Sequence, residues 1–152
     1  MSWEPLTAEG FDNLVRPLAG LEVSLPWKGA GTAVFLGLGA ITPPVDPRRK
    51  GRGEATIKIE WDWRIEDRAR VVCGSVNDEK EILAGIAALE GAKIRSIVVI
   101  GEIPELRVEF TDGRCLRSIV LFDDDPQWSI RLPEGRWISA KDGQVGVGDG
   151  AR

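Results

Sequence analysis

Between residues 55 and 66 the chain alternates without a break. Ile57, Ile59, Trp61, Trp63 and Ile65 are apolar, and Thr56, Lys58, Glu60, Asp62, Arg64 and Glu66 between them are polar. Period two marks a strand with one dry and one wet face, so the pattern predicts a single strand over 55–66. Charges of both signs on the wet face suit cross-strand ion pairs. Residues 105–122 predict a hairpin: Leu106, Val108 and Phe110 alternate, Asp112-Gly113 turns, and Leu116, Ser118, Val120 and Phe122 return. The run at 92–101, AKIRSIVVIG, is apolar on both faces towards its end and predicts a central strand.

The period changes to that of a helix at 77–91. Asp78 is placed to cap the N-terminus, with Glu81 three residues on, and Glu79 and Glu81 suit the positive end of the helix dipole. Ile82, Leu83, Ile86 and Leu89 form an apolar stripe, and Gly91 is a natural stop. A shorter helix is expected over 7–16, ending before Pro17. Residues 41–54 hold Pro43, Pro44, Pro47 and a basic cluster (Arg48, Arg49, Lys50, Arg52), and read as an exposed, flexible loop. The last residues, VGVGDGAR, read as a frayed tail.

Two similar halves emerge from this pattern. LAGLEV at 18–23 matches LEGAKI at 89–94, an offset of 71, and WRIE from Trp63 matches WSIRL from Trp128, an offset of 65. The difference assigns about six extra residues to the first half, which the 41–54 loop can hold. The expected fold is α+β within a single domain, 1–152. It consists of mainly antiparallel β-sheets from two β-rich repeats, about 18–73 and 89–146, with one central helix (78–90) packed on them.

This order of elements resembles a bacterial family of small two-repeat proteins catalogued only as a domain of unknown function. Gly20, Gly91, Phe110, Asp112, Gly113, Leu116, Trp128, Pro133 and Gly135 carry the resemblance, over roughly 18–146. They are turn and core residues, so the resemblance implies a fold and no reaction. The first half departs from the pattern, because FLGLGAITPP has no Asp-Gly turn.

Composition narrows the chemistry. Across 152 residues, 43% are hydrophobic and 29% charged, which supports a real core. A net charge of −4 and a pI near 5.0 argue against non-specific nucleic-acid binding. No apolar run approaches a membrane span, and the first residues lack the basic start of a signal peptide, so the expected location is cytoplasmic. Cys73 and Cys115 then read as buried thiols rather than a disulfide. Neither histidine nor tyrosine occurs, which excludes His-containing zinc sites, Ser–His–Asp triads and His general bases within the chain. There is no Walker phosphate loop, and GLGAI at 37–41 lacks the third glycine of a dinucleotide loop. No cofactor is expected.

Three groups remain as candidates. Asp123, Asp124 and Asp125 could hold Mg²⁺ or Ca²⁺, but no EF-hand spacing follows, and Asp125-Pro126 suits a turn, the preferred reading. Trp61, Trp63 and Trp128 sit on the apolar faces and are expected in the core. Trp27 and Trp137 stand beside turns, and with Arg136 they are the expected protein-interface residues. Function is accordingly expected to be a non-enzymatic cytosolic protein-binding module, of the immunity type for example, with another protein or a second copy as partner. The alternatives are a small hydrolase using Glu60, Asp62 or Glu109, and a self-assembling structural protein.

Overall fold

The computed structural model describes residues 3–124 and 126–149. In chain order the elements are β1 (Trp3–Pro5), α1 (Ala8–Val15), a 3-10 turn (Arg16–Leu18), β2 (Val23–Lys28), β3 (Val34–Leu38), β4 (Ala55–Ile59), β5 (Trp63–Asp67), β6 (Arg70–Gly74) and α2 (Glu79–Ala87). There follow β7 (Ile94–Ile100), β8 (Glu105–Phe110), β9 (Arg114–Ser118), β10 (Trp128–Arg131), β11 (Trp137–Lys141) and β12 (Gln144–Gly148). All named pairings are antiparallel. One sheet runs β1-β12-β11-β10-β4-β3-β2, and the other runs β6-β5-β9-β8-β7. The architecture is α+β with β dominant. Among the described residues, no helix is long and apolar enough to cross a membrane.

Alternation drives the assembly. Every second residue of the inner strands is buried: Val34, Leu36 and Leu38 on β3, Ile57 and Ile59 on β4, Leu106, Val108 and Phe110 on β8, Trp128 and Ile130 on β10. These side chains and those of both helices belong to one core cluster, so the two sheets share a single interior. Each long residue so buried contributes about 1.5–3 kcal/mol. The helices close the sides. Asp78 caps α2 by accepting from Glu81 N–H at 2.9 Å, and Ile82 and Ile86 face inward against β2 and β6. Thr7 caps α1 through Gly10 N–H at 2.9 Å, and Phe11 meets Trp128 edge-on, 6.3 Å between centroids.

The chain exchanges its strands between the sheets. β2-β3-β4 and β7-β8-β9 are three-strand meanders in different sheets. After β4 the chain crosses over, and β5 and β6 extend the second meander. After β9 it crosses back, and β10, β11 and β12 extend the first. The two crossings lie side by side: Glu60 N–H donates to Gln127 O at 2.8 Å, and Ile119 N–H donates to Asp62 O at 2.9 Å. At another junction, Gly20 N–H donates to Ile94 O and Gly91 N–H to Val23 O, both at 2.8 Å. Gly20 and Gly91 share a φ of 89°, a left-handed turn that glycine alone adopts without cost.

Four expectations need correction. The 55–66 run is not one strand but β4 and β5 in opposite sheets, broken at Trp61, whose φ is 62°. Trp61 is consequently 41% exposed, whereas Trp63 and Trp128 are buried at 1% and 0%. The 92–101 run forms β7, which is an edge strand, not a central one. Both helices form within the runs expected for them, α1 inside 7–16 and α2 inside 78–90. The terminal segment is no frayed tail as far as Gly148, because β12 pairs with both β11 and β1.

Candidate binding groove

The outer face of the seven-stranded sheet is built from the polar half of each alternation. Register aligns these residues in two rows. One runs Leu25, Gly37, Thr56, Arg131, Trp137, Gly148 and Trp3; the next runs Trp27, Phe35, Lys58, Ser129, Ser139 and Gly146. Gly37, Thr56, Ser129 and Ser139 keep the middle low beside Arg131 and Lys58, with Trp27 and Phe35 on one side and Trp137 and Trp3 on the other. The result is a low floor between aromatic walls, and Ser129 and Ser139 are buried at 2% and 4% despite facing out. Part of this floor is a cavity of about 360 Å³, lined by Trp27, Phe35, Thr56, Arg131, Trp137 and the 49–53 stretch of the long loop.

Trp27 stacks on Phe35, with centroids 4.0 Å apart and planes at 5°, which fixes one wall. Lys50 Nζ sits 5.4 Å from the Trp27 ring centroid, and Lys58 Nζ 5.4 Å from that of Phe35. Arg131 is the unusual member. It is 7% exposed, and its Nη2 donates to Gly53 O at 2.7 Å and to Thr56 Oγ1 at 3.3 Å. Burial, with the positive charge of Arg52 added, pulls its pKa below the ordinary arginine value, but a guanidinium stays charged near neutrality. Among the described residues no carboxylate lies within 4.0 Å of Arg49, Lys50, Arg52 or Arg131. A buried cation without an anion is costly. The cavity lining contains no carboxylate and no thiol, and Thr56 supplies its one side-chain hydroxyl. The arrangement can hold an anionic group beside a flat or apolar body, but it has no acid–base pair.

Of the expected interface residues, Trp27 and Trp137 line this one cavity. Arg136 does not: it sits in the β10–β11 turn, its guanidinium held by Glu134 at 2.6 and 2.8 Å. Asp123 and Asp124 lie exposed on the second crossing, where Gln127 Nε2 donates to Asp124 O at 3.2 Å; Asp125 lies outside the described residues. Among the described residues, no three potential ligands converge on a metal position. The acids considered for hydrolysis are each engaged. Glu109 accepts from Ser96 Oγ at 2.6 Å and pairs with Arg95 and Arg107, Glu60 pairs with Lys58 at 3.6 Å, and Asp62 accepts from Ser75 Oγ at 3.0 Å. Cys73 and Cys115 are free and buried, and burial beside Glu66 pushes the Cys115 thiol up to about 11.

Arg131, Phe35 and Thr56 were not singled out in the sequence. A signal existed: Trp128 and Ile130 face inward, so Ser129 and Arg131 must face out, and an arginine in the middle of a sheet needs a partner. No protein-family model matches the chain, and neither a curated protein nor a solved structure does.

Proposed function

We propose that the chain is a non-enzymatic binding protein that takes an acidic segment of a partner protein into the groove between Trp27 and Trp137. The single observation that carries this is Arg131, a guanidinium 7% exposed with no carboxylate within reach among the described residues. Rings with two torsions make large contacts at low entropic cost, and desolvated arginine is a common anchor at interfaces. Free buried thiols fit work in a reducing compartment such as the cytoplasm. Calorimetric titration with an oligoglutamate peptide tests the reading. Saturable binding that weakens with salt supports it. Binding of single-stranded poly-dT in preference would move the site to nucleic acid, and heat from neither probe would overturn it.

We also propose that the chain is two copies of one unit. Support comes from register. Equivalent residues lie 72 apart at Leu38 and Phe110, 59 apart at Ile59 and Ser118, and 65 apart at Trp63 and Trp128. On this alignment the long loop before β4 adds thirteen residues to the first half, and the crossing before β10 adds six to the second. Bulges fall at matching points, Val23/Leu25 and Ile94/Ser96. The groove then draws on both copies, with Trp27, Phe35 and Thr56 from the first and Arg131 and Trp137 from the second, and the added loop before β4 supplies its 49–53 side.

A further inference from the structure

We propose that the occupant of the groove is a second copy of this chain, which inserts the ridge built on Trp61 and Phe122. The proposal rests on the reading of the groove as a site for an acidic protein segment. The ridge is the pair of crossings, 60–62 with 119–124 and 126–127, tied together by backbone hydrogen bonds. Trp61 meets Phe122 edge-on at 5.6 Å, and they are 41% and 47% exposed. Leu121 beside them is 69% exposed, and Ile103, which shares a cavity with Phe122, is 63% exposed.

Two features mark the ridge as more than scattered surface residues. Trp61 holds a φ of 62°, which a bulky side chain adopts only at a cost of about 1–2 kcal/mol. Its carbonyl is held by the Thr32 hydroxyl, which donates to it. The strained crossing leaves the indole 41% exposed instead of turning it into the core. Secondly, Asp123 and Asp124 follow the rings directly and make no ion pair among the described residues.

Ridge and groove complement one another. The ridge offers rings and carboxylates without counter-ions. The groove offers ring walls and cations without carboxylates: Lys50, Arg52 and Arg131. They are different surfaces of the same chain, so the contact is head-to-tail. Every copy added leaves one ridge and one groove free, and growth runs to rings or open chains instead of stopping at a pair.

A mixing experiment on the full chain decides the matter. One variant, Asp123→Asn/Asp124→Asn, loses the ridge charge; the other, Lys50→Glu/Arg52→Glu, reverses the groove charge. All four positions are exposed, and circular dichroism checks that both variants fold. By light scattering, the wild type should rise above 16.6 kDa with concentration, and fall back with salt. Each variant alone should stay monomeric, while a mixture should give a species of two chains and no larger, because one partner keeps the groove and the other the ridge. A wild type that is monomeric throughout, a mixture that stays monomeric, or a dimer indifferent to both variants overturns the proposal. If oligoglutamate still binds a monomeric wild type, the groove reading stands and only the second copy falls. If it does not bind, both fall.

Discussion

Replacing Arg131 with methionine separates what its guanidinium does for the fold from what it does for a ligand. The substitution removes the 2.7 Å bond to Gly53 O and leaves that carbonyl unpaired, a loss of about 1–3 kcal/mol. Against this stands the guanidinium itself, held from water with no carboxylate near and with Arg52 beside it. The effective penalty for a buried ion is several kcal/mol, here about 3 kcal/mol because the guanidinium keeps bonds to Gly53 O and Thr56 Oγ1. Methionine fills similar space and adapts to irregular gaps. The second quantity matches or exceeds the first, so Arg131→Met should leave stability unchanged or raise it by up to about 2 kcal/mol. In a chain of this size that is a gain of at most about 4–8 °C in Tm. Urea unfolding followed by tryptophan emission gives the stability, and titration with oligoglutamate gives the affinity. Affinity should fall at least about tenfold, because losing one side of a desolvated charge pair costs about 2–5 kcal/mol. A destabilisation above about 3 kcal/mol would refute this reasoning, since Arg131 would then be a structural tie between β10 and the long loop.

The hydrogen bond from Ser96, with Arg95 and Arg107 nearby, holds the Glu109 carboxyl below its ordinary 4.5, and Arg64 does the same for Glu66. A lowered native pKa gives stability that is complete above the unfolded value and is lost as pH falls through the native one; Tm should therefore hold down to about pH 5 and drop below about 4.5, less steeply in Glu109→Gln, as a thermal melt series will read. Both thiols are buried and raised, Cys115 to about 11, so neither should react with Ellman's reagent at pH 8 until denaturant is added. A Cβ at Gly85 would stand 2.7 Å from Cys73 Sγ. The Cys73 Cβ would stand only 2.9 Å away as well, so Gly85→Ala should cost about 1–3 kcal/mol despite better helix propensity. Cys73→Gly removes both atoms and should make the double variant lose less than the sum of the two single losses; additive losses would contradict the packing.

The alternation of 55–66 shows why some of the fold was legible and some was not. Inward residues keep the same parity through Ile57, Ile59, Trp63 and Ile65 because both sheets face one core, so a crossing between sheets leaves the pattern intact. Only the backbone at Trp61 betrays it, and torsion is not written in polarity. The helix at 79–87, with its Asp78 cap, was legible because its signals are local. The edge position of β7 was hidden, since α1 packs against that strand and gives it apolar residues on both faces. Trp27 and Trp137 could be named as surface aromatics. Their meeting over Arg131 depends on register across five strands, which no local run contains.

The exchanged strands set the order in which the molecule can be completed during synthesis. Once residue 118 has emerged, β5 and β6 are already present to flank β9, and the smaller sheet can close. The larger sheet must wait, with the flank of β4 bare until β10 arrives and β1 unpaired until β12 does. A chain halted in that interval offers β4 to the 128–148 segment of any neighbour. Crowded refolding should then yield intertwined pairs that trade these last strands and separate only on unfolding.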